Sequence, residues 1–239
     1  YTTTGKHSPV LYSTGKVTAS GITGKATGSE AVVIEGANSV TLTDSTVSGA
    51  AKWGVLIYQS MSGDANGSDG VFTMTGGSLT TTAGPLFEVT NTTADITLTG
   101  VTVNATSGTL LEAAAKSWGT SGSNGGTAVL TAVGQTLSGN VVVDSTSSVT
   151  LKLTRSSAWA GAIDSAGTAK AAAVALDGTS TWTVTADSHV TALTGAVISG
   201  SSVTNIVGNG HTVTYDSASS PDLGGKTYTL AGGGTLTPA

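Results

Sequence analysis

Apolar and polar residues alternate along much of this chain, as in Val40-Thr41-Leu42-Thr43, which is the period-two pattern of a half-buried β-strand. Threonine is β-branched and suits a pleated surface, so the Thr between apolar positions belong to the strands themselves. The pattern also recurs. Val40-Thr-Leu-Thr-Asp-Ser-Thr-Val47 aligns with Phe72-Thr-Met-Thr-Gly-Gly-Ser-Leu79 and Ile96-Thr-Leu-Thr-Gly-Val-Thr-Val103, with a weaker copy at Val17-Thr-Ala-Ser20. Upstream of each lies a second apolar strand: Val10-Leu11-Tyr12, Val33-Ile34-Glu35, Leu56-Ile57-Tyr58, Leu86-Phe87-Glu88, Leu110-Leu111-Glu112, Val142-Val143-Asp144 and, loosely, Ile163-Asp164. A repeat unit of about 20–24 residues cannot bury its apolar face alone and must stack on copies of itself.

That reading predicts an all-β fold, a right-handed single-stranded parallel β-helix (a β-solenoid) of about ten coils, forming one domain over residues 1–239. Residues 1–144 are expected to be regular coils, and 145–239 degenerate coils followed by a C-terminal cap that hides the open edge of the last one. Two insertions, residues 59–70 (QSMSGDANGSDG) and 115–126 (AKSWGTSGSNGG), follow the same strand in different coils, so they should project from one edge. Tyr1-Thr-Thr-Thr-Gly-Lys-His-Ser-Pro9 resembles Leu79-Thr-Thr-Thr-Ala-Gly-Pro85 in order, so the chain is expected to begin partway through a coil. Preceding coils would then come from a longer protein or from a second molecule stacked end to end by strand addition.

Composition narrows the function. Thirty-four Gly, forty-four Thr and 10% charged residues exclude a bulky-core α/β enzyme or a helical bundle, and a net charge of −5 disfavours nucleic acid as a partner. No stretch is apolar for long enough to insert in a membrane. The absence of Cys removes disulfide scaffolds, thiolate zinc sites and thiol catalysis. His7, His189 and His211 are too far apart in the repeat for a metal set, no Ser/His/Asp spacing resembles a triad, and no cofactor motif is present.

The segments Ser8-Pro-Val-Leu-Tyr-Ser-Thr14, Ser29-Glu-Ala-Val-Val-Ile-Glu-Gly36, Leu56-Ile-Tyr-Gln-Ser-Met-Ser-Gly-Asp64, Phe72-Thr-Met-Thr-Gly-Gly77 and Trp118-Gly-Thr-Ser-Gly-Ser-Asn-Gly-Gly126 resemble those of secreted, Thr-rich, adhesin-like β-helix proteins of Gram-positive bacteria. The resemblance covers most of the chain and is closest over residues 8–139. It implies a pectate-lyase-like right-handed coil, a secreted or cell-surface location and further N-terminal coils, and it carries no catalytic motif. The expected role is a structural or adhesin-like element, with partners either in copies of itself, stacked into filaments, or in a host or environmental glycan surface; the enzyme alternative is a glycoside hydrolase or polysaccharide lyase.

Three groups of residues are candidates for chemistry. The alignment places Tyr12, Glu35, Tyr58, Glu88, Glu112, Asp144 and Asp164 in one outward column. Neighbouring carboxylates about 5 Å apart would perturb one another's titration. Such a column is either a solvated stripe, a cation- or glycan-binding line flanked by Trp53, Tyr58 and Trp118 as sugar platforms, or a hydrolase in which Glu88, Glu112 and Asp144 are the catalytic candidates. A lyase is disfavoured because only Lys52 and Lys116 lie nearby and Arg155 comes later. Asp64, Asn66 and Asp69 resemble the opening of a calcium loop, though Thr75 stands where an EF-hand has its closing Glu, and Ca2+ is the candidate ion. Thr41 and Thr43, Thr73 and Thr75, and Thr97 and Thr99 should form two outward ranks, as in ice-binding solenoids, interrupted at Leu130-Thr131-Ala132 and Lys152.

Overall fold

The computed structural model describes every residue from Tyr1 to Ala239. The alternation seen in the sequence becomes strands gathered into three sheets, and the single helical element is the 3-10 turn Pro221–Leu223. Strands pair in parallel with the next copy of their own repeat, an all-β architecture compatible with a β-solenoid. No helix is long and apolar enough to cross a membrane.

In the first sheet, strands Ser39–Gly49, Gly70–Thr81, Thr93–Thr99, Thr127–Val133, Ser148–Thr154 and Ala171–Leu176 follow one another in order. Val40, Phe72, Ile96, Leu130, Leu151 and Val174 therefore stack in one inward column, and every one of them is buried. The intervening Thr face outward because successive side chains of a strand alternate between faces. These inward residues belong to a single continuous core. At roughly 1.5–3 kcal/mol per buried aliphatic side chain, the stack itself holds the rungs together.

The second sheet contains Leu11–Ser13, Val32–Glu35, Val55–Tyr58, Phe87–Thr90, Thr109–Ala113 and Asn140–Val143. Leu11, Val32, Val55, Phe87, Leu111 and Val141 share its register. The two long steps along this register, Val55 to Phe87 and Leu111 to Val141, are those that carry residues 59–70 and 115–126. Both insertions thus leave the same edge, as the repeat predicts.

Serine does structural work that its frequency alone does not reveal. Ser45, Ser147, Ser157, Ser180, Ser188 and Ser220 are buried. Each hydroxyl accepts a backbone N–H from an earlier part of the chain: Ile22, Gly126, Gln135, Ser157, Ile163 and Leu193 respectively, at 2.9–3.3 Å. A compact hydroxyl replaces the ladder bond where the backbone bends away, so few buried donors are left unpaired.

After Asn140–Val143 the second sheet is reduced to one bridge, between Val141 and Ile163, while a third sheet begins with Thr136–Ser138, Ala158–Gly161 and Thr181–Val184. Two pairings in the molecule are antiparallel, and both lie near the C-terminus: Ile198–Ser199 with Ser202–Val207, and Tyr228–Ala231 with Thr235–Pro238. The latter hairpin joins two parallel ladders of the third sheet.

Candidate binding site

The outer face of the second sheet departs from the Thr-covered surface of the first. Val33, Leu56 and Tyr58 point away from the main core yet are buried, forming a small second apolar cluster against Trp53 and Trp118. The insertions cover this face. Asn91 ties them together: its Nδ2 donates to the Gln59 carbonyl at 2.7 Å, and its backbone N–H donates to the Asn124 carbonyl at 3.0 Å. Asn124 Nδ2 in turn donates to the carbonyls of Lys116 and Trp118, both at 2.8 Å, which fixes the turn that presents the Trp118 indole. Gly119 completes that turn with φ +78°, and a Cβ there would collide with the Asn91 side chain, so only glycine fits.

The rings meet at steep angles. Trp118 lies 4.6 Å from Tyr58 with 54° between planes and 6.3 Å from Trp53 with 53°. With Tyr12, Val33 and Leu56 they line a cavity of about 260 Å³, whose remaining wall is His7, Pro9, Glu30 and Lys52. The Lys52 ammonium sits 5.3 Å from the centre of the Trp53 ring. Four of the chain's eleven aromatic residues are thus collected at one place on its outside.

The single acidic column does not form. Tyr12 is in register with Val33 and Leu56, and Leu56 with Glu88 and then Glu112, whereas Glu35 is in register with Tyr58 and Thr90. Asp144 follows Val143, the partner of Ala113, and so falls with Glu35 and Tyr58 on the second line. The sequence alignment slips by two residues at three steps, between Tyr12 and Glu35, between Tyr58 and Glu88, and between Glu112 and Asp144. A slip of two returns every side chain to the same face, so the hydrophobic pattern cannot detect it. Glu88 and Glu112 remain neighbours one rung apart, but Glu35 and Asp144 belong elsewhere, and Asp164 receives the backbone N–H groups of Thr168 and Ala169 in a turn.

Nor is the acidic set a solvated stripe. Glu35 is 2% exposed and accepts hydrogen bonds from Tyr12, from Tyr58 at 3.2 Å, from Ser60, and from Ser62 at 3.3 Å. Burial opposes its charge, but these hydroxyls outweigh burial and hold the carboxyl below the usual range. Two of them come from the first insertion, so Glu35 is the anchor that pins it. Burial and the neighbouring carboxylate raise the pKa of both phenols, most for Tyr12, and keep them neutral. Asp144 anchors the second insertion: its Oδ2 accepts the Ala115 N–H at 2.7 Å, its Oδ1 accepts the Thr146 N–H at 3.0 Å, and these bonds overcome burial to lower its pKa.

Glu88 is fully buried, and neither of its oxygens has a hydrogen-bond partner. Burial first, and Glu112 second, push its carboxyl up to about 9, against the pull of Lys116. Lys116 Nζ lies 2.6 Å from Glu112 Oε1 and 3.6 Å from Glu88 Oε1. At neutral pH it pairs with Glu112 beside a neutral acid. Burial opposes the Lys116 charge as well, but Glu112 and Glu88 prevail and raise its pKa. Glu88, Glu112 and Asp144 do not line the cavity, which weighs against their proposed catalytic role there.

Asp64, Asn66 and Asp69 are exposed in the first insertion. The loop is shaped instead by Gln59, whose Nε2 donates to the carbonyls of Ala65 at 2.9 Å and Gly67 at 2.8 Å; among the three, Asp64 receives a bond from Ser62 at 3.3 Å. No group of three or more His, Cys, Asp or Glu converges on a point. The threonine ranks do align: Thr41, Thr73 and Thr97 in one, Thr43, Thr75 and Thr99 in the other. The first rank is longer than the sequence suggested, running from Thr18 through Thr131 before Lys152 ends it, and the second is broken by Val133.

Comparison of the chain with protein-family profiles, with curated proteins and with solved structures finds no match.

Proposed function

We propose that this chain is a right-handed parallel β-helix that works outside the cell as an adhesin-like scaffold, and that it captures a glycan-bearing surface through the aromatic cavity on its second sheet. The observation that carries this reading is the gathering of Tyr12, Trp53, Tyr58 and Trp118, four of the chain's eleven aromatic residues, around one cavity. Binding sites are concave and largely apolar, with a few fixed polar groups, and a cavity of about 260 Å³ is just below the usual range for drug-sized ligands, sized for one compact group rather than a long chain. The rigid ladders beneath it make the geometry preformed. A glycan array probed with the native chain and with Trp118→Ala tests the reading: binding to particular glycan-bearing spots that the variant loses is expected, and equal binding of the two chains would remove the cavity from the account.

A second reading has its own support. The Thr18–Thr41–Thr73–Thr97–Thr131 rank beside Thr43–Thr75–Thr99 is a regular hydroxyl and methyl array of the kind that binds ice. Thermal hysteresis of the purified chain tests it, and a zero reading disposes of it. End-to-end stacking is the weaker arrangement, since the hairpin Tyr228–Ala231 with Thr235–Pro238 joins the ladders across the third sheet near the C-terminus.

A further inference from the structure

We propose that the group received by the aromatic cavity is a quaternary ammonium, a trimethylated nitrogen of the choline type. This rests on the cavity being the contact with the glycan-bearing surface, and names the substituent of that surface, not a sugar ring, as what enters it.

Three features separate this ligand from a sugar ring. The first is ring geometry. A pyranose lies flat on one exposed ring, whereas Trp118 packs against Tyr58 at 54° and against Trp53 at 53°, so the rings form adjoining tilted walls of the cavity instead of one flat platform. Aromatic boxes of this kind hold alkylated ammonium ions by attraction between the cation and the negative ring faces.

The second is the state of the polar groups. A sugar brings hydroxyls that must be paired when they are desolvated, and a site that leaves them unpaired rejects it. Here the carboxylates and phenols beside the cavity are engaged with one another or with serine hydroxyls. Glu35 accepts four hydroxyl hydrogen bonds, the Tyr12 and Tyr58 hydroxyls are spent on Glu35, and Glu30 accepts the Ser29 hydroxyl at 2.7 Å. A trimethylammonium group neither donates nor accepts hydrogen bonds, and asks only for ring faces and negative potential.

The third is charge. Glu35 lies buried behind the two tyrosines with its pKa lowered, and Glu30, 7% exposed, lines the wall. Phenols that donate to a carboxylate carry more negative oxygens and more electron-rich rings, which strengthens their pull on a cation. Lys52 at the rim is positive, yet it rests 5.3 Å from the Trp53 ring, so one face of this cluster already holds a cation. Glu30 and Glu35 together outnumber it.

The test is a titration of the full chain, followed by tryptophan fluorescence at constant ionic strength. The probes are choline, its uncharged carbon isostere 3,3-dimethylbutan-1-ol, and a panel of neutral monosaccharides. Saturable quenching by choline, at least tenfold weaker for the isostere, is expected. Trp118→Ala should abolish the response, and Glu30→Gln, which keeps the size and bonding of the side chain, should weaken choline severalfold without affecting the isostere. Equal binding of choline and the isostere overturns the inference, because shape alone would then suffice. Saturation by a monosaccharide with no response to choline also overturns it while leaving the cavity as a glycan site. No response to any probe counts against both readings.

Discussion

The molecule contains two tryptophan pairs built on opposite principles. Trp159 and Trp182 are partners in adjacent strands of one ladder, fully buried, with centroids 5.2 Å apart and planes 16° from parallel. Each indole N–H donates at 2.9 Å to the carbonyl of a rung glycine, Gly139 or Gly161. Trp53 and Trp118 come from a connecting segment and an insertion, meet at 53°, and stand partly exposed beside a cavity. In a ladder, register alone stacks identical side chains in parallel, and the result is core. Rings at steep angles require loops that leave the repeat, and those loops enclose a space.

The largest effect should separate the pairs by stability. Trp182→Ala is expected to cost about 3–5 kcal/mol, as for large core truncations, in a denaturant titration. Trp118→Ala should cost about 1 kcal/mol or less and act on binding. Equal losses would break the comparison.

A second test concerns the acid under the second insertion. Because the Glu88 carboxyl titrates near 9 in the folded chain, above its unfolded value, the fold holds that proton more tightly than the unfolded chain does. Stability from this group is fully present below about pH 4.5 and is lost as pH rises toward 9. Glu88→Gln, neutral throughout, should match the native chain in acid and exceed it by an amount that grows to roughly 1–3 kcal/mol at alkaline pH. A difference independent of pH would contradict the assignment.

Glu35 has the opposite sign. Its lowered pKa contributes stability above the unfolded carboxylate value that is lost as pH falls through the folded one. Glu35→Ala is expected to cost about 1–3 kcal/mol and to expose residues 59–70 to protease, because the hydroxyls of Ser60 and Ser62 lose their acceptor. Protection of that segment equal to the native chain's would show that the anchor lies elsewhere. The smallest effect belongs to the outer threonines: Thr43→Lys, Thr75→Lys and Thr99→Lys should each change stability by about 0.5 kcal/mol or less, since these positions face outward from the sheet, away from the core.

The repeat was legible because alternation and recurrence are properties of single strands. Val40, Phe72 and Ile96 stack as the pattern requires, as do their flanking Thr. Three things were hidden. The two-residue slip that divides Glu35 from Glu88 preserves facing and leaves no mark on the pattern. The burial of both acids depends on insertions whose path is set by long-range bonds, such as those of Asn91 to Gln59 and Asn124. The corner serines match the surface serines in sequence and differ only in where the backbone turns. Trp53, Tyr58 and Trp118 were identifiable as platforms, but their mutual tilt, and with it the cavity, arises only in three dimensions.

The central claim is that the outer tryptophan pair binds while the inner pair holds the fold. The direct measurement is the 15N–1H spectrum of the four indole groups during titration with an array-selected glycan and with choline. The account predicts that the Trp53 and Trp118 signals move and saturate while those of Trp159 and Trp182 stay fixed. Movement confined to Trp159 and Trp182, or four stationary signals with every ligand, would contradict it.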